Sequence, residues 1–176
     1  MPIRNFWSLE PDECLVAEKL LDRLPGCQVY FPVRDVGVDL LITSGERHAG
    51  IQVKGSRYYT QKNGVELPPE KCHSWHQVFV KKLDRQNVDF YIFVTSIARE
   101  GANRITKFDT RFLVVPQSEV LRRVVAKSKG ERGVYRYYFC FNNQTVFDTR
   151  EKSTDELFDY TAFLENWDLL KHSLMP

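Results

Sequence analysis

The chain has 176 residues, 43% of them hydrophobic and 27% charged, with a net charge of +2. That is enough chain for one domain with a full core, and too apolar for a disordered or low-complexity segment. The charge is uneven: from Asp148 onward seven acids face three bases, about −4, which leaves about +6 on residues 1–147.

In chain order, Asp12 to Leu24 predicts a helix, with Cys14, Ala17, Leu20, Leu21 and Leu24 at helical spacing and Pro25-Gly26 as the stop. Three strands follow, over Cys27 to Pro32, Val36 to Thr43 and His48 to Gly55, the last two separated by a turn at Thr43 to Arg47. Tyr58 to Lys71 is polar and reads as a loop or a small hairpin. Ser74 to Arg85 carries Trp75, Val78, Phe79 and Leu83 on a helical period. Val88 to Ser96 is a strand apolar enough to be buried on both faces. Further strands are expected at Arg111 to Val115 and Val134 to Phe141, with a helix between them over Ser118 to Lys127. A long helix is expected over Thr154 to His172, capped from Ser153. The order, α-β-β-β-α-β and then β-α-β-α, predicts a single α/β domain: a central mixed sheet with helices on its faces, its core over about 12–96 and its C-terminal extension over about 105–176. No run reaches the roughly 20 apolar residues of a membrane span, and residues 1–9 lack a signal-peptide pattern. The four scattered cysteines read as reduced thiols, and the chain is expected to be cytoplasmic.

The chemistry concentrates in two strands. A hairpin centred on Gly45-Glu46 places Asp39 opposite Gln52, Val38 opposite Val53, Leu40 opposite Ile51 and Ile42 opposite Ala49. Apolar pairs then share one face and the polar pair the other, and a slip of one residue destroys that agreement. Lys54 falls opposite Gly37, which leaves room for a long side chain. A carboxylate, an amide oxygen and an ammonium on one patch suit Mg²⁺ or Mn²⁺, which takes few protein oxygens and keeps its waters. Asp39 supplies a charged oxygen, Gln52 a neutral one, and the Val53 carbonyl a third. Lys54 can hold a phosphate oxygen or orient the attacking water. The same residues also make an ordinary polar cross-strand pair on a solvated face.

The pattern Gly37-x-Asp39-Leu-Leu-Ile, followed by Gln52-x-Lys54-Gly-Ser, resembles the PD-(D/E)XK nuclease superfamily, specifically its restriction-endonuclease-like and Holliday-junction-resolvase-like members. The likeness covers about the first 95 residues. It implies a core α-β-β-β-α-β fold, metal binding by Asp39 and Gln52, a catalytic assist from Lys54, and an acid from the first helix, for which Glu18 is the match. Gln52 stands where that pattern has Asp or Glu, which removes one negative charge and gives Glu18 more weight. Asp35, before the second strand, is a further outer candidate.

Other groups are candidates for nucleic-acid contact. Ser56 follows the Lys54 strand, with Arg57, Tyr58, Tyr59 and Lys62 as a basic and aromatic patch beside it. Arg122, Arg123, Lys127, Lys129, Arg132 and Arg136, near Tyr135, Tyr137 and Tyr138, form a second patch. His76 is expected on the outer face of the second helix, turned to DNA. Cys72, His73 and His76 have zinc-ligand chemistry but lack a fourth partner nearby. The chain has no Gly-rich phosphate loop, G-x-S-x-G elbow or H-E-x-x-H, so no nucleotide cofactor is expected. The reading is a Mg²⁺-dependent DNA endonuclease of restriction, junction-resolving, repair or homing type, acting as a homodimer or larger symmetric assembly. The alternative is a non-catalytic DNA-binding or partner-binding module on the same fold.

Overall fold

The computed structural model describes residues 10–33, 37–62, 65–67, 71–83, 87–100, 106–128, 133–142, 144–150 and 156–175. Helix α1 (Pro11–Arg23) opens with Pro at its first position and Asp12 and Glu13 in its first turn, which suit the positive end of the helix dipole. It leads into strands β1 (Gln28–Tyr30), β2 (Leu40–Ser44) and β3 (Arg47–Tyr59). The β2–β3 register is the expected one: Leu40 pairs with Ile51, Ile42 with Ala49 and Ser44 with Arg47. Beyond the last pair, the Asp39 amide donates to the Ile51 carbonyl at 2.9 Å, so the ladder carries on to the residue of interest. Val38 departs from the pattern and packs with the opposite core from Val53.

The polar stretch after β3 forms a small hairpin, β4 (Gln61–Lys62) with β5 (Val65–Glu66). Among the described residues of Ser74 to Arg85, which end at Leu83, the expected helix is absent. In its place stand strand β6 (His73–Phe79) and a single 3₁₀ turn at Val80–Lys82. Ser74, His76 and Val78 alternate inward and Trp75 and Phe79 outward, a period of two that the inward polar residues disguise in the sequence. Strand β7 (Phe90–Glu100) then returns parallel to β3, with Gln52 beside Tyr91 and Lys54 beside Phe93. The parallel crossover is therefore made by a strand instead of a helix. Strand β8 (Thr106–Pro116) pairs antiparallel along the whole of β7, and helix α2 (Gln117–Ser128) follows it directly. Strands β9 (Val134–Asn142) and β10 (Thr145–Asp148) form a hairpin, with β9 alongside β6.

The long C-terminal helix is likewise replaced. Residues 156–167 run as short irregular pieces that bridge to the sheet at Leu164–Leu113 and Asp159–Phe147, and include a 3₁₀ turn at Thr161–Phe163. Glu165, at φ 51°, takes a conformation no helix interior allows, and its amide donates to the Phe112 carbonyl at 2.9 Å. Among the described residues beyond 156, α3 (Asp168–Leu174) is the one α-helix. The expected cap at Ser153 lies outside the described residues, as do Asp35 and Val36.

The result is a mixed α/β architecture, a large and mainly antiparallel sheet flanked by a few helices. Two cores hold it. On one face of β2, β3, β7 and β8, residues such as Leu40, Ile51, Ile92 and Val114 pack against Val16 and Leu20 of α1 and Leu170 and Leu174 of α3. On the other face, Tyr91, Phe93 and Leu113 pack against Val120 and Val124 of α2 and against Tyr135, Tyr137 and Phe139 of β9. Gly50 marks a close approach: a Cβ there would overlap the backbone carbonyl oxygen of Asn87. Backbone cannot step aside as a side-chain tip does, so Gly50→Ala should cost about 1–3 kcal/mol in a denaturant melt. Among the described residues, no helix is long and apolar enough to cross a membrane.

Candidate functional site

The end of β2 and the middle of β3 bring Asp39, Gln52 and Lys54 to one cleft of about 180 Å³, lined also by Gly37, Lys82 and Tyr91. One Asp39 carboxylate oxygen accepts the Val53 amide at 2.8 Å and the Gln52 side-chain amide. The carboxylate is thus fixed by backbone and side chain together. Gln52 is only 7% exposed, so its amide orientation is set by packing as well as by that bond. With Nε2 committed to Asp39, Oε1 is the atom of Gln52 suited to ligate a cation. In a strand the N–H and C=O of one residue point to the same edge, so the Val53 carbonyl lies on the Asp39 side of β3. Tyr91 borders the cleft in protonated form. Burial, and then the Asp39 charge, push its hydroxyl up to about 12.

A second, larger cleft of about 590 Å³ adjoins this one and shares Lys54 and Phe79 with it. One wall is the start of α1, with Glu10, Asp12 and Glu13; the other includes Val53, Arg57 and β6. Glu18, the expected helix acid, is exposed and lines neither cleft. The acids that reach the Lys54 region stand one turn or more earlier in α1. Glu13 is 4% exposed, on the same helical stripe as Val16, Ala17, Leu20 and Leu24. Cys14 and Leu21, which set the expected stripe, are exposed instead. Asp12 packs where a Cβ on Gly55 would sit, and burial followed by the Glu10 charge raises its carboxyl above the usual range. The signal for Glu13 is present in the sequence as the one acid in register with the buried stripe.

His76 is not a surface residue. It is 2% exposed, and its Nε2 shares hydrogen bonds with Ser74 Oγ at 3.1 Å and Thr95 Oγ1 at 3.3 Å. Burial pushes its imidazole down to about 3; contact with the Lys54 backbone works against that, and the Lys54 charge adds to it more weakly. A histidine kept neutral in the fold but protonated when unfolded below about pH 6.5 makes the folded state bind fewer protons. Stability therefore falls as pH drops from about 6.5 toward 3. This one group weakens the folding equilibrium by about tenfold per pH unit. His76→Gln should flatten that acid limb relative to the parent in pH-dependent denaturant melts.

The remaining expected contacts divide. Arg57 is exposed over the Tyr59 ring at 5.2 Å, and Ser56 accepts the Trp75 amide at 3.0 Å at the edge of the larger cleft. Tyr58 is turned inward: its hydroxyl donates to the Cys72 carbonyl at 3.1 Å and accepts the Phe141 amide at 3.3 Å, tying β3 to β9. Arg122 is exposed but paired with Glu119 at 2.9 Å and Glu156 at 3.6 Å. Arg123 and Lys127 are interior. Arg123 donates to the carbonyls of Glu156 and Asp159 at 2.8 and 2.7 Å, and Lys127 pairs with Asp148 at 2.8 Å beneath four aromatic rings. The second basic patch is thus in part a structural cluster, because helix α2 turns its arginine–lysine stripe toward the core. Lys129 and Arg132 lie outside the described residues, as does the Lys62 side chain. Cys72 and His76 are buried and His73 packs on Tyr138, and no group of three or more His, Cys, Asp or Glu among the described residues is placed to hold a metal. By chemistry alone, the Asp39 carboxylate, Gln52 Oε1 and Val53 carbonyl are the kind of oxygen set that Mg²⁺ takes in its one-carboxylate, water-rich mode.

No protein-family model matches the chain, and no curated protein matches it. Among solved structures it is similar to a bacterial homing endonuclease, I-Ssp6803I, with a TM-score of 0.49 and 14% identity, over 98% of this chain and 95% of that one.

Proposed function

We propose that the chain is a divalent-metal-dependent DNA endonuclease of PD-(D/E)XK type with a Gln-x-Lys variant of the motif. The observation that carries this reading is the convergence of Asp39, Gln52 and Lys54 on one cleft, with Asp39 locked by the Val53 amide. A surface polar pair needs no such fixation. Asp39, Gln52 Oε1 and the Val53 carbonyl would hold Mg²⁺ or Mn²⁺. Bound there, the cation supplies Lewis-acid stabilisation of charge at a scissile phosphate and a more acidic water.

The protein's own groups have separable parts. Asp39 sets the negative charge of the site, and the two bonds it accepts stop it rotating away. Lys54, shared by the two clefts, would hold a phosphate oxygen or orient water. Glu13 and Asp12, which line the larger cleft with Lys54, would take the part first expected of Glu18. Tyr91, protonated at neutral pH, offers a hydroxyl without adding charge. Two strand cuts call for two such sites, so a symmetric dimer or larger assembly is the expected working form. The test is cleavage of supercoiled plasmid and of branched DNA with Mg²⁺ or Mn²⁺. Cleavage that disappears in Lys54→Ala and Asp39→Ala supports the reading. Metal-independent, salt-sensitive binding with no cleavage of any substrate supports instead a DNA-binding module on this fold.

A further inference from the structure

Strand β6 turns Trp75 and Phe79 outward, 38% and 51% exposed, and both line the larger cleft together with Tyr59. Aromatic rings gathered in one exposed cleft and rimmed by polar groups are the kind of patch that marks a binding site. Here they carry positive charge at their faces: Arg57 lies over Tyr59 at 5.2 Å and Lys82 over Phe79 at 5.3 Å. Gln77, between Trp75 and Phe79 on the same side of β6, adds an amide that can pair with a base edge. At about 590 Å³ the cleft lies in the size range of small-molecule pockets. It also opens directly onto Lys54. The opposite wall is acidic, with Glu10, Asp12 and Glu13, and repels phosphate.

We infer that this cleft is a stacking site for the bases of an unpaired DNA strand, so that the substrate is DNA with splayed or single-stranded nucleotides beside the cut. The inference rests on the nuclease reading above and specifies its substrate. Aromatic rings flanked by cations are the combination that holds single strands with little regard to sequence, since every base has a π-face. The acidic wall orients the strand. Phosphates run toward Lys54, Arg57 and Lys82, and the bases turn in against Trp75 and Phe79. An intact duplex, with its bases already stacked, gains nothing from these rings.

The test is binding of a short oligothymidylate and of the matching duplex to the full chain in EDTA, so that no cleavage is needed. Binding is followed by quenching of tryptophan emission and by a labelled-strand titration. The single strand should quench the emission and bind more tightly than the duplex. Trp75→Phe should lose the quenching while keeping most of the affinity. Trp75→Ala and Phe79→Ala should each weaken strand binding by about fivefold to a hundredfold, the scale of one lost base–aromatic stack. Circular dichroism melts of both variants confirm the fold. Equal affinity for duplex and single strand, or unchanged strand affinity in both alanine variants, overturns the inference. So does conversion of an oligomer to a monomer by Trp75→Ala with strand affinity unaltered, which makes this face a protein interface. Strand binding of the expected kind in a chain that cuts nothing upholds the stacking site and removes only the nuclease reading.

Discussion

Asp39→Asn is expected to abolish metal-dependent cleavage, by about 10²–10³-fold or more, while leaving the fold intact. Loss of one preorganised charged group at a developing phosphate charge has that scale. Asparagine keeps an oxygen for the Val53 amide, so the hydrogen bond at 2.8 Å that anchors residue 39 can survive. What disappears is the one charge among the three proposed oxygen donors. Gln52→Glu probes the same centre from the other side. The new carboxylate would stand against the Asp39 oxygen that now accepts the Gln52 amide. Two adjacent carboxylates repel, so this variant should melt several degrees lower without metal at pH 7. Millimolar Mn²⁺ should restore much of the loss, because a cation converts the repulsion into binding. A plasmid-cleavage time course and thermal melts with and without Mn²⁺ check both.

The largest stability effect is expected at a pair that does not line that cleft. Lys127 and Asp148 are 1% and 0% exposed in their side chains and 2.8 Å apart. Asp148 also accepts the Tyr135 hydroxyl at 2.8 Å and the Tyr138 amide at 3.1 Å, which ties α2, β9 and β10 together. Burial pushes the Lys127 ammonium below its usual range, with the Asp148 charge acting against that. Asp148→Asn leaves a buried cation without its counter-charge and should cost about 3–5 kcal/mol. Adding Lys127→Met removes the stranded charge. The asparagine oxygen can still accept from the Tyr138 amide, so the double variant should recover a large part of the loss. Denaturant melts of the two single variants and the double one close the cycle. Full additivity would mean that the two groups do not act as a pair.

The contrast between these two regions explains what is legible in the sequence. The β2–β3 register is readable because every pairing from Leu40–Ile51 to Ser44–Arg47 obeys one alternation and one turn position. The placement of Asp39 and Gln52 follows from it. Strand β6 is hidden because its inward residues include Ser74 and His76, polar groups whose partners, each other and Thr95, come from the fold. Hydrophobic periodicity cannot register a buried polar cluster, so Trp75, Val78, Phe79 and Leu83 suggest a helix. Lys127 and Arg123 mislead for the same reason: Lys127 is met by Asp148, 21 residues on, and Arg123, besides its local pair with Glu119, by the Glu156 and Asp159 carbonyls, 33 and 36 residues on. Glu18 fails differently. Leu21, at 53% exposed, is not part of the buried stripe of α1, and a shift in that stripe moves the inward acid to Glu13. The irregular path of 156–167 depends on the sheet edges it bridges and on the positive φ of Glu165, neither of which local propensity encodes.

Calorimetric titration of Mn²⁺ into the full chain tests most directly whether the residues around Asp39 form a cation site. The parent should bind with a defined stoichiometry, Asp39→Asn should show no heat above dilution, and Gln52→Glu should bind more tightly than the parent. Equal Mn²⁺ binding by the parent and Asp39→Asn, or none by the parent and Gln52→Glu alike, would contradict a cation site there.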